Sequence, residues 1–152
     1  MNIGIDIRSL TNPHLTGVGQ YALGLLRELF KADKTNNYLL FYNSAKDISK
    51  NLPEFEHKNV KVCATRFPNK ILHSSVRLLG APRVESLIKE KLDIFFSPNL
   101  HFTALSPETK HILTIHDLSF ELFPECFSKK RQLWHKMLRP KVQCEKADKI
   151  IV

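Results

Sequence analysis

Short, unbroken runs of apolar residues recur along the chain and alternate with longer stretches in which the apolar positions have helical spacing. Apolar runs that are too short for a helix are typical of buried strands. We therefore predict six strands, over 1–8, 38–42, 60–63, 93–97, 112–115 and 149–152.

The clearest helix prediction begins at Val18. Weaker helical patterns cover 71–79 and 82–91, and a long basic helix is expected from about 128 to 146. We expect that basic helix to bend at Pro140, because an internal proline loses a hydrogen bond and clashes with the preceding turn. The first helix carries the stripe of an amphipathic helix, with apolar residues at Val18, Tyr21, Ala22, Leu25, Leu26, Leu29 and Phe30.

Continuously apolar strands that alternate with helices indicate a mostly parallel sheet covered on both faces. The predicted fold class is therefore α/β, a three-layer Rossmann-like domain. In such sheets ligands bind at the carboxyl ends of the strands, so the loops after strands one, four and five are the places to look for function. Those loops contain Gly17, Val18 and Gly19, then Asn99 with His101, and then His116 with Asp117.

The composition is that of an ordinary globular protein: 152 residues, of which 43% are hydrophobic and 25% charged. A chain of this size can bury a core without disulfides or a structural metal, so we predict one compact domain over 1–152. No apolar run reaches the length of a membrane span and the N-terminus lacks a leader pattern, which predicts a cytoplasmic protein.

The cysteines and histidines give no sign of a metal or redox site. Cys63, Cys126 and Cys144 lie far apart without a C-x-x-C spacing, so we interpret them as free structural thiols. The histidines show no spacing typical of zinc ligands. We therefore expect neither a metal nor a cofactor.

The net charge of +8 is concentrated near the C-terminus, where residues 129–149 contain eight cations and two anions. This concentration predicts a local basic surface. Such a surface suits an anionic membrane, a phosphorylated substrate or nucleic acid, and composition does not choose among them.

The sequence GVGQYA at 17–22 matches the G-x-G-x-x-A form of the dinucleotide fingerprint. The first glycine comes about nine residues after Arg8 rather than directly after the strand, and no acid follows strand two, which argues against a nicotinamide or flavin site. Two interpretations remain open: a glycine loop that approaches a phosphate, or a helix N-terminus with Thr16 as its cap.

His116 and Asp117 end an apolar strand, so their side chains are expected at the ligand edge of the sheet. A histidine beside an acid suits proton transfer or hydrogen bonding to a polar substrate. The alternative is a packed histidine next to an aspartate that caps the following turn. No G-x-S-x-G motif is present, so nothing supports a Ser-His-Asp triad.

Five segments recur in the order and spacing of a known family: IGIDIR at 3–8, TGVGQY at 16–21, SPN at 97–99, TIHDL at 114–118 and KADKIIV at 146–152. Together they resemble the N-terminal half of a GT-B glycosyltransferase of the group 1 (family 4) type. The resemblance implies two Rossmann-like domains facing each other across a cleft. The N-terminal domain mainly holds the acceptor, the C-terminal one holds a nucleotide-sugar, and transfer retains the anomeric configuration, generally without a metal.

The resemblance also implies roles for single residues. His116 would contact the donor sugar near the reacting carbon, and His116 and Asp117 are the predicted catalytic residues. Arg8 would either reach the donor or form a salt bridge. The remaining expectations are donor binding by Gly17, Val18 and Gly19 and acceptor binding by Asn99, His101 and Gln20.

The family's C-terminal domain, with its paired glutamates, has no counterpart in 1–152, and the last apolar run stops without a closing turn. We therefore expect a truncated chain that is inactive alone. The expected partners are a nucleotide-sugar and a polysaccharide or lipid-linked acceptor, with no nucleic acid. The alternative from another class is a non-catalytic Rossmann-like module that binds a phosphorylated ligand or nucleic acid.

The basic helix allows one further partner. Its cations lie beside Leu133, Trp134, Met137 and Leu138, so the helix could rest on an anionic membrane at the cytoplasmic face. The other interpretation is a solvated helix that packs this apolar stripe onto the sheet.

Overall fold

The computed structural model describes residues 1–152 and contains one six-stranded sheet. The strand order is β3-β2-β1-β4-β5-β6, and every neighbouring pair is parallel. The predicted α/β class and Rossmann-like sheet are confirmed, and the sheet is wholly parallel. The strands are β1 (Asn2–Asp6), β2 (Asn37–Asn43), β3 (Val60–Thr65), β4 (Ile94–Ser97), β5 (Lys110–Thr114) and β6 (Lys149–Ile151).

Six α-helices and three short 3-10 turns connect the strands. The turns cover Arg8–Leu10, Ser49–Asn51 and Pro124–Cys126. No helix combines the length and the apolar character needed to cross a bilayer. The helices are α1 (Gly17–Ala32), α2 (Asn69–Leu79), α3 (Val84–Ile88), α4 (Ser119–Leu122), α5 (Lys129–Leu138) and α6 (Pro140–Lys146).

Several predicted boundaries were wrong. The first strand ends at Asp6 rather than Arg8, because the chain turns at once into a 3-10 turn. The helix predicted over 82–91 is only the short α3, which ends where Lys89 adopts a left-handed conformation with φ of 58°. Periodicity alone does not show where a helix stops.

The long basic helix is broken rather than bent. Arg139 has φ of 52°, which is left-handed and ends α5, and Pro140 then begins α6. Proline is well suited to a first helical turn, because the N–H that it lacks has no helical partner there. The chain can therefore turn between the two helices without leaving Pro140 inside either one.

The sheet separates two helical layers. Ala22, Leu26 and Phe30 of α1 pack in one core cluster with Ile5 of β1 and Leu40 of β2. The opposite face carries α2, α3, α5 and α6, whose apolar side chains belong to two further clusters. The strand residues of these clusters alternate along the chain with those of the first cluster, as Leu39 and Phe41 do with Leu40. This alternation follows from the two-residue period of a strand and produces the predicted three layers.

Candidate functional site

An open cleft of about 580 Å³ lies at the carboxyl ends of β1, β4 and β5. The chain crosses from one half of the sheet to the other between β1 and β4, which is the usual ligand position in folds of this type. Residues of the intervening loops and of the three helices α1, α4 and α5 enclose the cleft. Its walls include Ser9, Thr16, Val18, Asn99, His101, Ile115, His116, Asp117, Phe120, Arg131, Trp134 and His135.

His116 stands at the end of β5 with one ring nitrogen held by the backbone. Its Nε2 atom lies 2.8 Å from the carbonyl oxygen of Pro98, and the Tyr21 ring meets it edge to face with centroids 4.9 Å apart. A carbonyl can only accept a hydrogen bond, so the Nε2 atom carries the hydrogen. In the neutral imidazole the Nδ1 lone pair is therefore free to accept a hydrogen bond or a proton.

Asp117 also lines the cleft, but one of its oxygens is already used. The Oδ1 atom accepts hydrogen bonds from the backbone N–H of Ser119 at 2.9 Å and from its hydroxyl at 2.5 Å. These two bonds lower the pKa of the Asp117 carboxyl. The residue is thus an anion at neutral pH and holds the turn into α4, as the capping interpretation required, while its Oδ2 atom has no partner within the protein.

Three residues of the cleft walls each contain a buried polar atom without a hydrogen-bond partner, namely Ser9 Oγ, His101 Nδ1 and His135 Nδ1. Buried polar atoms in proteins are nearly always paired, because an unpaired one loses its hydration without compensation. The walls of the cleft thus contain three polar groups whose hydrogen bonding is incomplete within the protein.

Burial controls the charge of His101. It lowers the pKa of the imidazole to about 4, with a further lowering by the nearby Arg8 guanidinium and an opposing influence of Asp6. The ring is therefore neutral at physiological pH. A neutral imidazole offers one donor and one acceptor, which suits the hydroxyl groups of a polar ligand better than an anion.

His135 was not predicted as a site residue. Its ring stacks on Phe120 with centroids 4.5 Å apart and an angle of 1°, and burial lowers its pKa, with a smaller effect from Arg131 one helical turn earlier. Nothing in the local sequence marks His135, because α5 reaches the cleft only through tertiary packing. Arg131 was missed for the same reason, whereas Ser9 lies in the loop after the first strand, a position that could have marked it.

The two glycines at the start of α1 have different roles. A Cβ atom on Gly19 would lie 3.1 Å from both the Ser9 carbonyl oxygen and the Leu15 Cδ2 atom, whereas one on Gly17 would meet nothing within 4 Å. Gly19 therefore allows close packing, and Gly17 leaves the approach to the helix end open. Thr16 occupies the cap position, yet its side chain makes no capping hydrogen bond.

Arg8 does not line the cleft. Its Nη2 atom lies 2.6 Å from Asp6 Oδ2, and the guanidinium also donates to the Phe102 carbonyl and to Thr103 Oγ1. Burial alone would raise the pKa of Asp6, but the charge and hydrogen bonds of Arg8 lower it below its usual value. Of the two alternatives for Arg8, the structure contains the salt bridge.

The other predicted site residues form two groups, those that line the cleft and those that lie beside it. Val18, Asn99, His101, His116 and Asp117 line the cleft together. Gly17, Gly19 and Gln20 belong to the first turn of α1 beside it but are not part of its walls. The structure thus brings together residues that are about 100 positions apart in sequence, from three of the segments behind the family resemblance.

Comparison of the chain with family models, with curated proteins and with solved structures found no match. The likeness to GT-B glycosyltransferases therefore rests on the motifs of the chain itself.

Proposed function

We propose that residues 1–152 form the acceptor-side domain of a retaining GT-B glycosyltransferase. The reaction would transfer a sugar from a nucleotide-sugar to a polysaccharide or glycolipid acceptor. The observation that carries the proposal is the position of His116, which shares one cleft with the start of α1 and has no partner within the protein for its Nδ1 atom. The five motifs in family order give independent support.

The chemistry of sugar transfer fits the electrostatics of this cleft. The bond between the anomeric carbon and a phosphate oxygen breaks, and negative charge develops on the departing diphosphate. A bond to the acceptor oxygen forms, and the proton of the acceptor hydroxyl passes to the departing phosphate oxygen. The first-turn N–H groups of α1 are not capped by Thr16, and the N-terminal end of a helix dipole is positive. The open approach at Gly17 would let the diphosphate reach these groups.

The polar residues of the cleft would then hold the sugars. His116 Nδ1 would accept a hydrogen bond from a donor hydroxyl near the reacting carbon. The ionised Asp117 and the neutral His101 would bind hydroxyl groups of the acceptor, together with Asn99. Phe120 and Trp134 supply aromatic surface in the same cleft, on which the apolar face of a sugar ring can rest.

The experiment is an NMR titration of residues 1–152 and of the His116→Ala variant, because NMR detects the weak binding expected of half a site. The probes are nucleotide-sugars, the matching nucleoside diphosphates and inorganic pyrophosphate. We expect the nucleotide-sugars to shift the signals of His101, Val18 and His116 more than the sugar-free probes do. The variant should lose this preference. Cleft signals that respond to none of the probes would overturn the proposal.

Two observations favour a second candidate, a non-catalytic module for a phosphorylated ligand. The uncapped start of α1 and the Arg131 guanidinium on the cleft wall both suit an anion and need no sugar. This candidate predicts that pyrophosphate and nucleoside diphosphates bind as well as nucleotide-sugars do, and that His116→Ala changes nothing. The same titration therefore separates the two functions.

A further inference from the structure

The outward side of α2 is unusually apolar for a helix that covers a sheet. Leu72 and Val76 pack inward against the core, as expected. Ile71, Leu78 and Leu79, however, are 65%, 76% and 77% exposed. A helix that covers a sheet normally exposes a polar face to the solvent. These exposed apolar side chains therefore form a second apolar surface, opposite the one packed on the core, and such surfaces mark interaction sites.

Positive charge surrounds this surface. The chain contains no acid between Glu56 and Glu85, and α2 itself carries Lys70 and Arg77. Both are exposed, and neither forms an ion pair. Exposed leucines interleaved with unpaired cations are typical of elements that lie in the interface of an anionic membrane.

A groove of about 300 Å³ runs between α2 and α5 at the same place. Trp134 and Phe102 line its apolar part, while Lys70, Arg77 and His73 bring polar groups to it. The groove thus combines an aromatic wall with cationic side chains, which matches an amphiphile with an anionic headgroup.

We propose that the outward side of α2, together with this groove, docks on the surface of an anionic lipid bilayer. Ile71, Leu78 and Leu79 enter the boundary between headgroups and acyl chains, and Lys70 and Arg77 bind lipid phosphates. Charge complementarity selects a membrane over an apolar protein partner, because the exposed leucines come with cations and no acids. The proposal does not depend on the glycosyltransferase assignment.

The basic segment around α5 contributes less than its composition suggests. Leu138 is only 3% exposed, and Trp134 and Met137 pack against the cluster beneath the helix. Leu133 is the one residue of that predicted stripe that is highly exposed. The membrane contact is therefore centred on α2 rather than on the C-terminal basic helix.

The test is cosedimentation of the protein with vesicles of phosphatidylcholine, alone or mixed with phosphatidylglycerol. We expect binding to the mixed vesicles that weakens with added salt. The Lys70→Gln/Arg77→Gln variant should lower the partition coefficient about 30-fold, since each cation near an anionic surface contributes about 1 kcal/mol. The matched control is Arg27→Gln/Lys31→Gln, which removes the same charges from α1 on the opposite face and should bind as the unchanged protein does.

The apolar contribution has its own variant, Leu78→Ser/Leu79→Ser, with circular dichroism as a check on folding. Trp134 is the only tryptophan, so a blue shift of its emission on adding mixed vesicles reports contact at the groove. We expect this variant to lose the shift and most of the binding. The proposal would be overturned if the leucine variant bound the vesicles as well as the unchanged protein does. It would also be overturned if the α1 control lost as much binding as the Lys70→Gln/Arg77→Gln variant. A dimer in lipid-free solution that only the leucine variant disrupts would overturn it as well.

Discussion

The imidazole of His101 makes the stability of this protein sensitive to pH. Its pKa is about 4 in the fold, against about 6.5 in an unfolded chain. Above pH 6.5 the ring is neutral in both states. Between about pH 6.5 and pH 4 only the unfolded chain takes up the proton, so the free energy of unfolding falls with falling pH, by up to roughly 3 kcal/mol in total.

Urea unfolding at several pH values measures this effect. His73, His111 and His135 also have lowered pKa values and act in the same direction, so the informative quantity is the difference between the unchanged protein and His101→Gln. We expect the variant to lose less stability on acidification. Parallel pH profiles for the two proteins would contradict the assignment.

The Asp6–Arg8 pair predicts a large loss of stability for Arg8→Gln. Both side chains are buried, so the variant leaves the Asp6 charge without its partner, and we expect a loss of about 3–5 kcal/mol in the free energy of unfolding. The double variant Asp6→Asn/Arg8→Gln should regain part of it. The control is Lys31→Gln, which breaks the exposed pair with Glu28 and should lose less than about 1 kcal/mol. Urea unfolding measures both losses. Equal losses in the free energy of unfolding for Arg8→Gln and Lys31→Gln would contradict the buried ion pair between Arg8 and Asp6.

The start of α1 offers a direct comparison of two glycines in one helical turn. Gly19→Ala should lower the free energy of unfolding by about 1–3 kcal/mol, because the added methyl group presses on the Ser9 carbonyl. Gly17→Ala should change it by less than about 1 kcal/mol, because that side of the helix is open. Chemical denaturation measures both. Similar effects of the two variants would contradict the packing described for α1.

Gly17 also permits a separation of binding from folding. Under the proposed function, Gly17→Val should leave thermal unfolding nearly unchanged but weaken the NMR response to nucleotide-sugars, because a branched side chain would block the approach to the first-turn N–H groups. A variant that responds as the unchanged protein does would remove α1 from the donor site.

The whole chain is expected to fold alone and yet to transfer no sugar. Its three apolar clusters span the sheet on both faces, which predicts a single cooperative thermal transition. Catalysis in the proposed family needs groups on both walls of an interdomain cleft, and rate acceleration requires donor and acceptor to be held together.

The assay combines calorimetry with a transfer measurement. Residues 1–152 are titrated with nucleotide-sugars after a melting curve has established folding, and the same mixtures are analysed for glycosylated product. We expect negligible heats and no product. Tight donor binding or measurable transfer would mean that this domain holds the donor by itself.

The sequence was sufficient for the six strands, for most of the helices and for their arrangement in layers. Apolar runs such as 38–42 and the helical stripe from Val18 are local patterns, and each predicted the element that formed. The position of His116 at the ligand edge also followed from local information, since a residue directly after a buried strand must lie at that edge. Element ends were less predictable, because Arg139 and Lys89 adopt left-handed conformations that no periodicity reveals.

The tertiary structure alone decided which side chains share a surface. Arg8 could have faced a ligand, but its position beside the buried Asp6 and the Phe102 carbonyl directs it inward. His135 joins His116 because α5 folds back over the end of β5, and Leu78 remains exposed because no other element covers that side of α2. The physical reason is general: secondary structure follows from neighbours along the chain, whereas burial, partners and pKa depend on groups that only folding brings close.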